Sequence, residues 1–405
     1  MRMRFAPKYF VAGLAMTSCQ VVLAQSSVTL YGVVDTGVAY VNSQASLGST
    51  SGGRSVVKMS NGVWAASKYG LLGSEDLGNR LKAIFKLEGG FNSASGAQQY
   101  ANAMYGRTAY VGLSHPMIGT LTLGRQYAAY LQALSPYSPT NDLTGYFGAH
   151  PGDIDGLDTD YRVNNTIEYQ SPTFFGVTAF GSYSLAGVPG SLNAGSTWAT
   201  GLQYQIGPIG LATAFQRSNN STSGGGAWGA DSTMSNGGAQ LGVSALTNGY
   251  QTAQAQQRFA IAALYTFSSA WDVTITYSNV QYIPGIRSAF SDTAIFNTGG
   301  IVLHWKPITP FDLAAGYSYT RATKANGIQS SAQYQQLNMS QYYALTKRTG
   351  LYAAEAYQRA AGKTLGTPGE SQVINATATV GDGFQSTPSS SRSQFAAGIG
   401  IIHRF

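Results

Sequence analysis

The sequence has four histidines, at 115, 150, 304 and 403, and none stands in a motif that does chemistry. No Gly-x-Ser-x-Gly elbow raises a serine nucleophile, and no His-Glu-x-x-His pair could hold zinc. A triad assembled from distant strands is recognised by geometry alone, so a membrane hydrolase stays an alternative. Gly224-Gly-Gly-Ala-Trp-Gly229 has the spacing of a dinucleotide fingerprint. It lacks an evident preceding strand, a following helix and an acid about twenty residues on. No cofactor and no metal is expected from these residues.

The informative pattern is electrostatic. Between Tyr127 and Tyr161 lie Asp142, Asp153, Asp155, Asp158 and Asp160, with no Lys or Arg. Between residues 54 and 125 lie Arg54, Lys58, Lys68, Arg80, Lys82, Lys86, Arg107 and Arg125, against only Glu75, Asp76 and Glu88. An acidic loop facing a basic wall across a narrow gap would be a charged constriction, selecting solutes by size and field. The same acids could instead form a solvated loop or hold Ca²⁺, which takes carboxylate oxygens. Asp153-Ile154-Asp155-Gly156 lacks the rest of an EF-hand loop.

The composition says what must position these charges. Only 10% of the 405 residues are charged and 50 are glycine, whereas a soluble domain is about 25% charged. The 26 Tyr and 17 Phe exclude a disordered chain. Beyond residue 24 no apolar run approaches the roughly 20 residues of a membrane helix. Residues 1–24 read as a secretory signal peptide. Arg2, Arg4 and Lys8 precede the apolar Tyr9–Met16, and cleavage is expected between Ala24 and Gln25. Met16-Thr-Ser-Cys19 is a poor lipoprotein box, and Cys19 is the only cysteine, so the mature chain has no thiol. Losing three basic residues lowers the formal charge from +7 to +4, too little to indicate nucleic acid.

Residues 25–405 then read as one all-β domain. Trp271, Val273, Ile275 and Tyr277 alternate with Asp272, Thr274, Thr276 and Ser278, and Phe311–Thr320 repeats the pattern. Connections alternate between short and long, the long ones near 43–60, 94–104, 127–161, 186–196, 217–256, 282–292, 321–338 and 360–392. Eight long and seven short connections join sixteen antiparallel strands. Short periplasmic turns, long extracellular loops and an even strand number describe an outer-membrane β-barrel. Alternation puts Lys82, Lys86 and Glu88 in the lumen, and Lys68 and Leu72 likewise. A Lys or Arg on the lipid face at mid-bilayer costs about 2–4 kcal/mol. Arg107 and Arg125 share parity with apolar neighbours, so each must lie at a rim, beside a bulge or in a subunit interface. Phe395, Ala397, Ile399, Ile401, His403 and Phe405 form one outward stripe. The last strand must pair with the first, because an open edge in a bilayer leaves backbone groups unsatisfied.

Several segments resemble the general diffusion porins of the neisserial and β-proteobacterial type. They are Ser27-Val-Thr-Leu-Tyr-Gly-Val-Val-Asp-Thr-Gly37, Gly73-Ser-Glu-Asp-Leu-Gly78 with Leu81-Lys-Ala-Ile-Phe85, Arg107-Thr-Ala-Tyr-Val-Gly-Leu113 and Leu121-Thr-Leu-Gly-Arg-Gln-Tyr127. Arg162-Val-Asn-Asn165 with Tyr169-Gln-Ser-Pro172, Leu345-Thr-Lys-Arg-Thr349 and His403-Arg-Phe405 continue the match in order. The resemblance implies a homotrimer of water-filled barrels in the outer membrane of a Gram-negative bacterium, among lipid and lipopolysaccharide. It implies a third loop folded inside, with Lys68, Arg107, Arg125 and Arg162 opposite the loop's acids. It also implies passage of ions and small hydrophilic solutes, and Phe405 as a signal to the outer-membrane assembly machinery. With Lys82 and Lys86 added, weak anion preference is expected. The alternatives are a substrate-selective channel, or an outer-membrane enzyme or adhesin. Lys68 stands where the family usually has Arg, Leu72 where a basic residue is common, and Asn79-Arg80 replaces a more Gly-rich turn. Gly145-Tyr-Phe-Gly148 replaces the third loop's usual Pro-Glu-Phe-Gly-like stretch.

Overall fold

The computed structural model describes residues 26–142, 145–158, 162–236, 239–240, 243–366, 372–381 and 387–405. The expected signal peptide, its cleavage at Ala24 and Gln25, and Asp160 lie outside the described residues. The first half of the wall comprises β1 (Ser27–Gln44), β2 in two pieces (Arg54–Asn61 and Lys68–Asp76), β3 (Lys82–Gly90), β4 (Thr108–His115), β5 (Gly119–Tyr127), β6 (Arg162–Gln170), β7 (Val177–Ser184) and β8 (Thr197–Ile206). The second half comprises β9 (Ile209–Asn219), β10 (Ala255–Ser268), β11 (Trp271–Ile283), β12 (Ala294–Trp305), β13 (Phe311–Ala322), β14 (Gln333–Ala344), β15 (Thr349–Ala361) and β16 (Ser393–Arg404). Each strand pairs antiparallel with the next, and β16 pairs with β1 from Val33↔Arg404 to Val41↔Ala396. The sheet is a closed barrel of sixteen positions.

Alternation decides which face each side chain takes. On β11, Trp271, Ile275 and Tyr277 are exposed on the outside, while Thr274, Thr276 and Ser278 are buried inside. Aromatic pairs collect where the short turns join strands. Trp271 stacks on Trp305 at 5.1 Å, and Phe311 meets Tyr343 edge-on at 4.9 Å. Such rings suit a membrane boundary because an apolar body and a polar or polarisable edge fit its two sides. On β16, Phe395, Ile399 and Ile401 face outward as their parity requires, and Phe405, one residue past the strand, is exposed likewise. Phe405 exchanges both backbone hydrogen bonds with Gly32, each 3.1 Å. Its ring covers Gly32 so closely that a Cβ there would sit 2.2 Å from it.

The first long connection is shorter than its sequence suggests. Arg54–Asn61 is strand, pairing with the upper part of β1, and Lys68–Asp76 pairs with the lower part. Residues 62–67 between them leave the ladder and fold inward. Asp35 on β1 organises this break. Its Oδ2 accepts the backbone N–H groups of Trp64 at 2.9 Å and Ala65 at 2.6 Å, and its Oδ1 accepts the Tyr352 hydroxyl at 2.5 Å. The Asp35 carbonyl accepts the hydroxyls of Ser67 and Ser93. Trp64 then packs on the rings of Tyr342 and Tyr352, at 5.0 and 5.6 Å. A break in a strand frees donors that must find new acceptors, and one buried carboxylate supplies them.

Asp35→Ala should therefore destabilise the barrel strongly, because each buried donor left bare costs about 1–3 kcal/mol. The measurement is the temperature at which detergent-purified protein loses its folded form. We expect a clear fall for Asp35→Ala; an unchanged transition would mean the break holds without the carboxylate.

Candidate functional site: a basic wall and an inward-folded loop

Lys68 of β2, Lys86 of β3 and Arg107 just before β4 converge on Glu88. Glu88 faces inward from β3 and is almost fully buried. Arg107 Nε donates to its Oε1 at 2.7 Å, Lys86 Nζ lies 3.4 Å from its Oε2, and the Tyr31 hydroxyl donates to Oε2 at 2.7 Å. Lys68, at the start of the lower half of β2, lies within electrostatic reach of Arg107, Glu88, Lys86 and Arg162. Arg162 donates to the hydroxyls of Tyr100, at 2.8 Å, and Tyr127. Its guanidinium lies 4.5 Å from the Tyr127 ring centre and 5.8 Å from that of Tyr100. Four basic residues thus share the inner face of β2–β6 with two carboxylates, Glu88 and the buried Glu168 of β6, interleaved with tyrosines. Cation–ring contacts of this kind hold a guanidinium without neutralising it.

The two arginines with ambiguous parity resolve differently. Arg107 falls just before β4, where strand alternation no longer governs the side chain, and it reaches into the lumen to Glu88. Arg125 keeps the outward parity of Leu121 and Leu123 but stands beside a register slip between β5 and β6. Asn165, opposite the slip, has φ of 53°, the left-handed conformation that Asn tolerates. There Arg125 Nε donates to the Gly106 carbonyl at 2.7 Å and Nη1 to Asn164 at 2.5 Å, with its guanidinium 5.3 Å from the Tyr100 ring centre. Lys82 stands apart. It opposes Asp76 and Ser114 beside a short turn, six residues and roughly 20 Å of extended strand from Glu88.

The third long connection lies inside the barrel. Its helix α1 (Ala129–Leu134) packs on β7–β9, where the Ser182 hydroxyl accepts the Ala129 N–H at 3.1 Å. The loop then crosses to the far wall. Side chains of β14 hold its backbone, with Gln336 donating to the Ala149 carbonyl at 2.6 Å and Asn338 to the Phe147 carbonyl. Gly145-Tyr-Phe-Gly148 packs against the inward-folded 62–67 segment. Gly145 has φ of 70°, and a Cβ on it would lie 1.2 Å from the Val63 carbonyl oxygen, so only glycine fits.

Among the described loop acids, Asp155 and Asp142 are engaged away from the basic wall. Asp155 is wholly buried, its Oδ2 2.7 Å from His150 Nδ1 and accepting the Ser278 hydroxyl at 2.7 Å. Burial alone would raise its pKa, but His150 and Ser278 hold the carboxyl below the usual range. Asp153 and Asp158 are buried too, with Asp153 Oδ1 accepting the Asp158 N–H at 3.1 Å. Tyr130, which donates to the Asp155 carbonyl, feels Asp155, Asp153 and the buried Arg258 of β10 together. Asp142, ending the short helix α2 (Pro139–Asp142), sits beside His304 on another wall. Burial pushes its carboxyl up to about 6, against the pull of His304.

Sequence reasoning missed Glu88 as the hub, although its parity with Lys86 was legible. It also missed Tyr100, which lies in a loop with no periodic signal, and Asp35, whose partners are up to 317 residues away.

The family model for Gram-negative porins matches residues 11–301. An outer membrane porin protein of Bordetella pertussis is 32% identical over 219 residues, covering 49% of this chain and 56% of that protein. Outer membrane porin protein 32 of Delftia acidovorans is 34% identical over 185 residues, covering 44% and 49%. The matched stretch spans about half the length of these curated relatives. The anion-selective porin from Comamonas acidovorans superposes with a TM-score of 0.66 at 22% identity, covering 94% of this chain and 100% of that one. Outer-membrane expressed OmpT of Vibrio cholerae gives 0.62 at 14% identity, covering 94% and 98%. With the family match extending over more than half of a sequence that closes into a sixteen-stranded barrel, this chain belongs to the Gram-negative porin family and is a barrel of the outer membrane.

Proposed function

We propose that the barrel is a water-filled channel for passive diffusion of ions and small hydrophilic solutes, with a weak preference for anions. One observation carries the reading. Lys68, Lys86 and Arg107 gather around Glu88, with Arg162 in reach of Lys68. Four basic residues thus face the two inward carboxylates of β2–β6, Glu88 and Glu168, while Asp155 of the third loop is engaged by His150 and Ser278. The wall along the path is thus net positive, and a fixed field in a narrow polar passage favours ions of opposite sign. Arg125 supports this wall from the rim, and Lys82 adds charge near the mouth by the short turns. In this reading the chain is a conduit and not an enzyme. It works as a homotrimer in outer-membrane lipid and lipopolysaccharide; a form of the similar Vibrio cholerae OmpT is described as a trimer.

Liposomes carrying the pure protein test the channel directly. They should swell in small sugars at rates that fall as solute size rises; no swelling in any small sugar would end the reading.

Phe405 supports a second, narrower proposal, that the terminal aromatic is read by the outer-membrane assembly machinery. It ends the outward stripe of β16 and closes the seam at Gly32. Deleting Phe405 should lower the amount of folded, heat-modifiable protein in cells while leaving refolding yield in detergent near normal. Equal loss in both settings would make it a packing residue only, and no loss in either would remove both roles.

A further inference from the structure

On the wall away from the basic cluster, one histidine has three carboxylates around it. His304 on β12 faces inward and is 5% exposed. Asp272 lies directly across the ladder on β11, and Asp312 stands near it on β13. Asp142 reaches the same place from the third loop. His304 Nδ1 is 2.9 Å from Asp272 Oδ2 and 3.6 Å from Asp142 Oδ1. One donor atom from each of Asp142, Asp272 and His304 lies within 4.8 Å of the other two. On the far side of the ring, His304 Nε2 is hydrogen-bonded to Asp312 Oδ1. Lys306 lies 3.8 Å from Asp312 Oδ2 and within electrostatic reach of Asp142.

The geometry has a direction. Both ring nitrogens face carboxylates, Nε2 that of Asp312 and Nδ1 that of Asp272 at 2.9 Å, so without a metal each can donate an N–H. If a cation takes the place of the Nδ1 proton, while Asp312 keeps the N–H on Nε2, three electron-pair donors from Asp142, Asp272 and His304 converge on it. Zinc binds imidazole nitrogen at about 2.0–2.1 Å and carboxylate oxygen at about 2.0–2.2 Å, usually with four tetrahedral ligands. Two such ligands at tetrahedral angles stand roughly 3.4 Å apart, close to the separations from Nδ1 seen here. A metal-binding histidine almost always donates its other N–H to a carboxylate, carbonyl or water, the place Asp312 occupies. The imidazole also distinguishes the site from the all-oxygen sets that suit Ca²⁺ and Mg²⁺.

We propose that Asp142, Asp272 and His304 form a binding site for a divalent transition metal, zinc foremost, with Asp312 orienting the histidine. A water would complete the tetrahedron. Because Asp142 belongs to the third loop and the other ligands to the wall, a bound ion staples the loop to the strands near the mouth by the short turns.

Calorimetric titration of zinc into folded, chelator-treated protein in detergent tests the site independently of conduction. The expected result is saturable binding of one zinc ion per chain. It should be abolished by His304→Gln and weakened by Asp142→Asn, which lies in the loop and leaves every strand intact should the first variant misfold. Asp312→Asn removes no ligand and should keep the stoichiometry while weakening affinity about 10–100-fold. Absence of saturable binding, or binding unchanged by Asp142→Asn and Asp312→Asn, would overturn the proposal and leave His304 as a hydrogen-bonded clasp.

Discussion

A backbone crossing hydrocarbon cannot leave an N–H or C=O unpaired, since each unsatisfied group there costs several kcal/mol. Nearly every feature of this molecule follows from that constraint. It makes β16 pair with β1, and it extends the pairing to the last residue, where Phe405 and Gly32 exchange both of their hydrogen bonds. It also explains Asp35. Where the second strand breaks, the freed N–H groups of Trp64 and Ala65 are taken up by one inward carboxylate, so the interruption is satisfied from within.

Closure in turn creates a polar interior that must be organised. The third loop and the inward-folded 62–67 segment lean on each other at Gly145 and Val63, and strand side chains grip the loop's backbone. Because the loop is held on several sides, two of its described acids are committed. Asp155 belongs to His150 and Ser278, and Asp142 belongs to the His304 cluster. On the inner face of β2–β6, Glu88 engages Arg107 and Lys86, and tyrosine rings face the Arg162 guanidinium.

How much of this the sequence discloses depends on the range of the interaction. Alternation along Trp271–Ser278 needs only nearest neighbours, and the structure follows it residue by residue. The inward placement of Lys86 and Glu88 is equally local. Arg107 and Arg125 defeat the same rule because one lies a residue outside its strand and the other beside a register slip. The split of β2 is invisible locally, since the residue that stabilises it sits on another strand and is closed over by Tyr352. The loop acids look available in sequence because the groups that engage them, Ser278 and His304 among them, come from distant strands. Even His150 reveals its role only once the loop is folded.

The central claim is that a net-positive wall around Glu88 sets the ion preference. The most direct test is the reversal potential in a KCl gradient across a planar bilayer holding the protein, repeated with Lys68→Gln and Lys86→Gln combined. The account predicts a modest anion preference that shrinks as ionic strength rises, because salt screens lumen charge, and that moves toward the cation side in the double variant. A strong cation preference in the unaltered protein, or a double variant with an unchanged potential, would contradict it.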